Sequence, residues 1–389
     1  MASAEATTPI DVPRGLSGVI VTETQVGDVR GVEGFYHYRQ YSAVELATAR
    51  TFEDVWYLMF HGELPDAAQL EAFRAETAAL RTLPAAVSEA LPALAQAGVH
   101  SGPLAGLRTA LSLLGATDGL RPLYDIDADH RRADALAACA AVPTLVTALH
   151  RLGQGQQPVE PRADLSHAAN YLYMLTGDEP EPERVRAIEA YLISTIDHGF
   201  NASTFTARVI ASTGADLAAC LVGAIGALSG PLHGGAPSRA LDMLDAIGTP
   251  DRIDPWIRDR VLSGERIMGF GHSVYRTEDP RSRMLRGIAQ QLGGPLVEFA
   301  VQVEARAEEL LAELKPGREL HTNVELYAGV VMELCGLPRE MFTPTFCAAR
   351  VVGWSANILE QADDSKIIRP AARYVGPPPP QSLPVGAAR

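Results

Sequence analysis

Cysteine is scarce in this sequence, and the few cysteines present exclude several kinds of site. The chain has four cysteines in 389 residues, widely spaced and without a CxxC pair. We therefore expect neither a zinc site nor a redox dithiol. Isolated cysteines are most often small buried apolar residues, which suits a reducing cytosol. They are Cys139, Cys220, Cys335 and Cys347.

Long hydrophobic runs and a secretory leader are also missing. The longest apolar run, from Leu217 to Leu228, is too short to span a bilayer and predicts a buried helix. The first residues, MASAEATTPIDVP, lack the basic start and apolar centre of a signal peptide. We therefore expect a cytoplasmic protein with no membrane partner.

Positive charge is in the minority. The chain has 33 Lys and Arg against 47 Asp and Glu, a net charge of −14. This balance argues against a nucleic-acid partner, which needs a basic surface. It leaves room for a polyanionic ligand, because a local basic patch can form on an acidic protein. With 47% hydrophobic and 21% charged residues, the composition is that of an ordinary globular protein of one or two domains.

Several familiar catalytic motifs are absent. The sequence has no HExxH, no GxSxG and no P-loop, and we expect no metal site. The glycines in GFG at 269–271 are only a fragment of a dinucleotide fingerprint, and no strand-like run precedes them. A Rossmann domain is therefore not expected.

Most of the chain has the composition of α-helix. The run EARAEELLAELK at 304–315 is an example of high helix propensity. Strand-like alternation is rare, and GVIVTETQV at 18–26 is the best candidate for a short sheet. The proline-rich C-terminus, including residues 377–389, predicts an extended and flexible tail. The expected fold class is all-α, with a possible short N-terminal β element.

The stretch GPLHGGAPSRALDML, residues 230–244, places a histidine in a glycine turn ahead of an amphipathic run. Pro237 is favoured in the first turn of a helix, so His233 is predicted to lie just before a helix N-terminus. The positive end of that helix would keep the ring neutral and able to donate to a developing oxyanion. A helix-capping histidine in a packed turn is the competing interpretation of this stretch.

Two other histidines stand in unusual local settings beside a glycine, where the backbone can bring a substrate close. They are His198 in TIDHGFNAST and His272 in MGFGHSVY. We assign no role to the remaining histidines, which are His37, His61, His100, His130, His150, His167 and His321.

Arginines gather after His272, in VYRTEDPRSRMLR. Asp279 and Pro280 have the pattern of an N-cap and first-turn pair, which puts Arg281 in the first turn of a helix. Arg276 and Arg281 are candidates for binding an anion, because guanidinium grips carboxylate or phosphate in a fork. The solvated face of the same helix is predicted to carry Arg283 and Arg286.

Three further charged residues are in notable contexts. Glu325, in HTNVELYAGVVMELCG, begins an apolar helix and is either a helix-dipole partner or a catalytic acid or base. Arg350, in FCAARVVGW, lies in an apolar stretch, where it needs a salt bridge or a carboxylate ligand. Arg369 precedes a proline near the C-terminus. Neutral histidines, an acid and several arginines suit a reaction that makes an enolate and handles a multi-carboxylate substrate.

Six longer motifs resemble signatures of the citrate synthase family, which includes 2-methylcitrate synthases. They occur in family order and are DLSHAANYLYMLTG, DHGFNASTFTARV, GPLHGGA, MGFGHSVYRTEDPR, MFTPTFCAARVVGW and KIIRPAARYVG. The likeness runs from about residue 14 to residue 377. It implies condensation of an acyl-CoA with oxaloacetate followed by thioester hydrolysis, with coenzyme A thioester as co-substrate and no permanently bound cofactor.

The resemblance also implies an architecture. We expect a homodimer whose subunits have a large helical domain, residues 1–234 and 337–389, and a small helical domain, residues 235–336. The active site would lie in the cleft between the two domains and close on substrate.

The resemblance gives each candidate a role. His233 would stabilise the enol of the acyl-CoA, His272 would polarise the ketone of oxaloacetate, and Glu325 would remove the α-proton. The oxaloacetate site would include His198, Arg281 and Arg350, with Arg369 reaching across from the partner subunit. The CoA site would include Arg276, near the phosphates, and Gly269, Phe270 and Gly271, near the adenine.

The sequence departs from the family pattern at the proposed base. The family usually has aspartate where this chain has Glu325, which is one methylene longer although its intrinsic pKa is similar. In addition, Pro237 and Ser238 replace a common Asn-Glu pair, and STID precedes His198 where many relatives carry a histidine. The alternative to an enzyme is a catalytically weak homologue with a binding or regulatory role.

Overall fold

The computed structural model describes residues 9–230, 233, 234, 236–272, 274–364 and 366–381. These residues form sixteen α-helices, four short 3-10 helices and one small sheet, which confirms the all-α class. Part of the expected flexible tail, residues 382–389, lies outside the described residues.

The helices follow one another along almost the whole chain. Their bounds are α1 Ala43–Ala49, α2 Phe52–His61, α3 Ala67–Ala79, α4 Ala85–Ala97, α5 Pro103–Thr117, α6 Ala128–Gly153, α7 His167–Thr176, α8 Pro182–Thr195, α9 Ala202–Ala211, α10 Leu217–Leu228, α11 Ala236–Ile247, α12 Ile253–Leu262, α13 Pro280–Leu292, α14 Pro295–Leu314, α15 Val324–Leu334 and α16 Phe342–Ala362. The 3-10 helices are Arg14–Leu16, Leu123–Asp125, Pro250–Arg252 and Arg339–Met341.

Two long apolar helices, α6 and α16, form the centre of the largest group. Helix α6 contacts α4, α5, α7 and α16, and α16 also contacts α2, α8, α9 and α10. By length and composition α6 could cross a bilayer, but 83% of its most apolar window is buried inside the protein. Its hydrophobicity is therefore explained by its place in the core. All four cysteines are buried and unpaired, as the sequence predicted.

A second group contains the helices from α11 to α15. Helix α15 lies against both α11 and α13, and α12 lies against α14. The second group meets the first where α8 contacts α13 and α15, and where α11 contacts α16. The division into a large domain and a small domain at residues 235 and 336 stays a prediction.

The N-terminal β element is present, but the expected position of its strands was wrong. The strands are β1 Gly27–Arg30, β2 Phe35–Tyr38 and β3 Tyr41–Ser42, in one antiparallel sheet of order β1-β2-β3. The alternating segment 18–26 forms no strand, because most of its apolar side chains have nothing to pack against: Ile20 is 88% and Val21 41% exposed, and burial begins only at Val26, next to β1. The strand β2 instead buries Tyr36 and Tyr38 in the core.

Two tyrosine hydroxyls of β2 anchor the sheet on the end of helix α8. The hydroxyl of Tyr38 donates to the carbonyl of Ile193 at 2.8 Å, and that of Tyr36 donates to Ser194 at 3.1 Å. Both carbonyls belong to the last turn of α8, where helix carbonyls lack an intrahelical partner. The two tyrosines thus satisfy the end of a helix and fix the hairpin of β1 and β2 upon it.

Candidate active site

Four helices begin around one cavity, and side-chain caps set three of these beginnings. Asn201 caps α9 by accepting from Ser203 N and Thr204 N, each at 3.1 Å. Asp279 caps α13, as the sequence predicted. Asn323 caps α15. Each cap satisfies backbone N–H groups that a helix start leaves free. The fourth helix is α11, which begins at 236, shortly after His233 as predicted.

The cavity at these helix starts has a volume of about 600 Å³. Six of the residues predicted from the sequence line it, which are His198, His233, His272, Arg281, Glu325 and Arg350. They come from segments up to 152 positions apart in the chain, so the fold alone brings them together. Apolar walls are supplied by Val29, Tyr191, Ala328 and Phe346 among others.

His272 has its proton fixed by the backbone. Its Nδ1 accepts from the N–H groups of Val274 at 3.0 Å and Tyr275 at 3.1 Å. A neutral ring with an accepting Nδ1 carries its hydrogen on Nε2. Burial, with a smaller effect of Arg281, lowers the pKa of His272 to about 4, so the ring is neutral at pH 7. Arg281 Nη2 lies 3.4 Å from Nε2, but a neutral ring cannot accept at both nitrogens, so this long approach is a contact between two donors and not a hydrogen bond. His272 can therefore donate one hydrogen bond from Nε2.

His233 is neutral at pH 7, as the sequence predicted, and the structure gives two causes in addition to the helix start. Burial and the charge of Arg350 lower the pKa of its ring to about 4. Its Nε2 lies 2.8 Å from Ser203 Oγ, which accepts from Trp354 Nε1 at 3.1 Å. The single hydrogen of Ser203 has two acceptors in reach, His233 Nε2 and Asn201 Oδ1, both at 2.8 Å. When it goes to the histidine, the ring hydrogen is on Nδ1.

His198 lines the same cavity, with its ring centroid 5.7 Å from that of His272. Its Nε2 is 3.0 Å from the hydroxyl of Tyr275, and its ring packs at 5.5 Å from the ring of Tyr36. Burial, then the nearby positive charge of Arg281, holds its pKa well below the usual value. All three site histidines are thus neutral hydrogen-bonding groups at pH 7.

Glu325 is the one acid of the predicted set, and its surroundings favour proton transfer. Burial raises its pKa, while a hydrogen bond with Asn323 and the charge of Arg281 oppose that rise. A carboxylate with a raised pKa is a stronger base than an exposed one. Glu325 also lines a second cavity, described below, so it lies where two spaces meet.

Arg281 is held rigidly by its neighbour in sequence. The carboxylate of Asp279 accepts hydrogen bonds from Arg281 Nε at 3.0 Å and from Arg281 Nη2 at 2.8 Å. Both residues are buried. The second oxygen of Asp279 also accepts from Val324 N at 3.1 Å, at the start of α15. Burial alone would lower the pKa of Arg281, but the ion pair outweighs it and raises the pKa. The guanidinium is thus fixed and fully charged.

The surroundings of Arg350 favour one of the two alternatives that the sequence left open. It is 1% exposed, and its Nε donates to the carbonyl of Thr195 at 2.7 Å. Among the described residues no carboxylate lies within salt-bridge distance of it, although the charge of buried Asp197 is near enough to act on its pKa. A buried charge without an ion pair in a cavity wall suits a carboxylate ligand better than an internal salt bridge.

A second cavity of about 800 Å³ adjoins the first. The two share His233, Gly271, His272, Asn323 and Glu325. Four basic side chains also line the second cavity, and the sequence analysis did not predict that they would lie together. They are Arg239, Arg266, Lys315 and Arg318.

The GFG segment, which the resemblance places near the adenine of CoA, lines this second cavity. Gly269 and Gly271 have φ of 81° and 82°, which glycine adopts without strain. Phe270 pairs with Thr322, and the carbonyl of Gly271 accepts from Asn323 Nδ2 at 2.9 Å. The segment is therefore fixed against the start of α15.

Two predicted arginines are not brought to either cavity. Arg276 is exposed and, among the described residues, lines neither space. Arg369 is exposed in the extended C-terminal segment. Arg286, expected on a solvated face, instead pairs at 3.2 Å with buried Glu304, whereas Arg283 is exposed as expected. Helix α13 turns Arg286 toward α14, which the local pattern did not reveal.

The residues that support the site left uneven signals in the sequence. Asn201 precedes a helix and has the pattern of an N-cap, so its position could have been found. Ser203 and Trp354 are 151 positions apart, and no local pattern links them to His233. No group of three or more potential metal ligands occurs among the described residues.

The fold and the site together define a class: an all-α protein whose helix starts enclose neutral histidines, a carboxylate and two buried arginines beside a basic cavity. The comparisons with known proteins are consistent with that class. The family description "Citrate synthase, C-terminal domain" matches residues 15–371. The chain belongs to the citrate synthase family, whose members are enzymes of the transferase type.

Individual relatives match over nearly the full chain. The citrate synthase of Deinococcus radiodurans is 39% identical, covering 94% of this chain and 96% of its own. The putative citrate synthase 2 of Mycobacterium tuberculosis is 41% identical, covering 95% of each. The solved citrate synthase of Thermotoga maritima has a TM-score of 0.83 at 37% identity, covering 96% and 98% of the two chains. The solved citrate synthase of Thermoplasma acidophilum, in a ternary complex with carboxymethyl coenzyme A and oxaloacetate, has a TM-score of 0.89 at 27% identity, covering 96% and 99% of the two chains.

Proposed function

We propose that the protein is an acyl-CoA:oxaloacetate C-acyltransferase that joins acetyl-CoA or propionyl-CoA to oxaloacetate and hydrolyses the thioester. The observation that carries this proposal is the junction of the two cavities at His233, His272 and Glu325. One cavity has buried arginines suited to a small dicarboxylate, and the other has basic residues suited to the phosphates of CoA. Coenzyme A enters as a thioester co-substrate.

Oxaloacetate binds in the first cavity, with its carboxylates on Arg281 and Arg350. Both guanidinium groups are preorganised, one by Asp279 and the other by the carbonyl of Thr195. Little side-chain freedom is lost when the ligand binds. His198 and the Nε2–H of His272 donate to the remaining oxygens.

The acyl-CoA is activated by proton abstraction. Glu325 removes a proton from the carbon next to the thioester carbonyl, and the electron pair moves onto the thioester oxygen. His233 donates a hydrogen bond to that oxygen, from Nδ1 when Ser203 donates to Nε2. A neutral donor of this kind stabilises the enol without holding a full positive charge in the buried site.

The carbon–carbon bond forms when the enol carbon attacks the ketone carbon of oxaloacetate. The ketone oxygen receives a proton from Nε2 of His272, which is the nitrogen that the backbone leaves protonated. The product is a citryl or methylcitryl thioester. Water then attacks the thioester carbonyl and releases CoA thiol and the tricarboxylate. Closure of the predicted small domain over the large domain would exclude water from the earlier steps.

A homodimer completes this site in the proposal, because Arg369 is contributed to the neighbouring subunit. The C-terminal segment that carries Arg369 is extended and pairs with the N-terminal segment through Arg373 and Asp11, 2.8 Å apart. Apolar side chains on both segments are exposed, including Ile10 at 86%, Ile20 at 88% and Val375 at 89%. Such exposure in a single chain supports a second copy as their cover. We propose a cytoplasmic location on the sequence argument alone.

The proposal is tested by release of free CoA thiol from acetyl-CoA, propionyl-CoA and butyryl-CoA in parallel, each with and without oxaloacetate. Oxaloacetate-dependent release supports the synthase, and the ratio of kcat/KM values gives the acyl preference. One methylene in an apolar pocket is worth ~1–3 kcal/mol, so both shorter substrates are expected to react. Glu325 in place of aspartate is the observation that favours a catalytically weak homologue, and oxaloacetate binding without thiol release would select it.

A further inference from the structure

The N-terminal hairpin touches the loop that orients His272. The carbonyl of Gly31, in the turn between β1 and β2, accepts from the backbone N–H of Arg276 at 3.0 Å. A Cβ atom added to Gly31 would lie 2.2 Å from the carbonyl oxygen of Val274 and 2.8 Å from its carbonyl carbon. The approach is therefore possible only because residue 31 has no side chain.

The same loop fixes the ring of His272. Its Nδ1 accepts from the N–H groups of Val274 and Tyr275, and the next N–H, that of Arg276, is the one bound to Gly31. Three consecutive amides are thus occupied, two by the histidine and one by the hairpin. Moving the backbone of residues 274–276 would disturb the two bonds that select the Nε2–H form of His272.

The hairpin is itself anchored on the far side of the cavity. Tyr36 on β2 is bonded to the end of α8, and its ring lies 5.5 Å from that of His198 and 5.9 Å from the guanidinium carbon of Arg281. Val29 on β1 lines the cavity and packs against Gly199. The hairpin therefore connects the end of α8 to the loop that follows His272.

We propose that the Gly31 turn is a positioning element for the reaction: by holding the backbone of residues 274–276, it keeps His272 as an Nε2–H donor aimed at the ketone of oxaloacetate. The catalytic assignment of His272 rests on the proposed function, whereas the contact between hairpin and loop does not. Gly31 touches no substrate and acts only through His272.

The variant Gly31→Ala tests this proposal. Its φ is not in the left-handed region, so the added methyl acts by its clash with Val274 and not by backbone strain. The matched control is Gly287→Ala on α13, where an added Cβ meets no atom within 4 Å. We expect kcat/KM for oxaloacetate to fall by about 10-fold or more in the first variant and to be unchanged in the second, because small misplacements of catalytic groups are costly.

Two readouts separate positioning from a general loss of structure. Hydrogen exchange at the Arg276 amide should be slow in the wild type and faster in Gly31→Ala, with or without ligand. With bound [2-13C]oxaloacetate at saturation, the ketone resonance should shift downfield in the wild type and less in the variant, because the donor of the ketone is misplaced. A Gly31→Ala protein with wild-type amide exchange and an unchanged ketone shift would overturn the proposal.

The amide exchange of Arg276 remains informative if Gly31→Ala does not fold or if the wild type binds no oxaloacetate. If Gly31→Ala does not fold, an Arg276 amide that exchanges freely in the wild type would overturn the contact, and a protected one would support it. If the wild type binds no oxaloacetate, the proposed function fails, yet the amide exchange of the variant still decides whether the hairpin holds the loop.

Discussion

The two adjoining cavities both carry positive charge, but they hold it in opposite ways. In the first, Arg281 and Arg350 are 4% and 1% exposed, and protein groups fix each guanidinium. In the second, Arg239, Arg266 and Arg318 are exposed. A buried fixed charge recognises one geometry, whereas an exposed flexible charge attracts any nearby anion.

This difference fits what each cavity would bind. The reacting ketone of oxaloacetate must be placed within a fraction of an ångström, and rigid arginines achieve that. The phosphates of CoA lie far from the reacting carbon, and their attraction mainly raises local concentration. We therefore expect substitutions to have effects that fall steeply from the shared junction, through the first cavity, to the rim of the second.

The largest effect is expected at the junction. Glu325→Gln keeps the size of the side chain but removes the base, so kcat should fall by about 10³-fold or more. Oxaloacetate affinity, measured by calorimetry, should change little. Glu325→Asp is the matched control, because it keeps the carboxylate and should retain more activity than the amide. Turnover of Glu325→Gln within 10-fold of the wild type would show that another group is the base.

The next effect is expected in the first cavity. Arg350→Lys keeps the charge but loses the planar fork and the bond to Thr195, so kcat/KM for oxaloacetate should fall by about 10²-fold. The KM for acyl-CoA at saturating oxaloacetate should change much less. Arg283→Lys, on an exposed face, is the control and should behave as wild type. Equal losses for both substrates would contradict a site divided between two cavities.

The pH dependence of activity should report the junction as well. A base works when deprotonated, so activity is lost as the pH falls through the raised pKa of Glu325. The pKa values of His233 and His272 are about 4, so both rings stay neutral in that range. Asn323→Asp keeps the helix cap, loses the bond to the carbonyl of Gly271 and adds a negative charge beside Glu325, and that charge should move the acid limb to higher pH.

The measurement for this prediction is the pH profile of kcat/KM for both proteins. The Asn323→Asp profile should be displaced on its acid side only. If the acid limb does not move, the group that titrates there is not Glu325.

The sequence was sufficient for the fold class and for six residues that line the first cavity. Helix propensity and caps such as Asp279 are local properties, so they can be recognised without a structure. The motifs around His233, His272 and Arg350 identified residues that the fold brings to one cavity. The segment 18–26 misled because alternation predicts a strand only when one face has something to bury.

The supporting contacts were hidden because they join distant positions. The bond from Gly31 to Arg276 and the contact of Trp354 with Ser203 depend on how helices and hairpin pack. The basic group of the second cavity has the same origin, since its members come from α11, the loop after α12, and the segment after α14. Each of these residues alone is an ordinary surface charge, and only the fold makes them neighbours.

The smallest effect is expected from single changes in that basic group. Arg318→Gln removes one exposed charge among several, so the KM for acyl-CoA should rise by only about 2–3-fold, with kcat unchanged. Because the interaction is screened by salt, the difference from wild type should shrink as ionic strength rises. The control is Arg283→Gln, which removes an equally exposed charge outside the cavity and should leave the KM unchanged. A large loss of kcat at Arg318, insensitive to salt, would mean that the second cavity also positions its ligand rigidly, and the contrast between the two cavities would no longer hold.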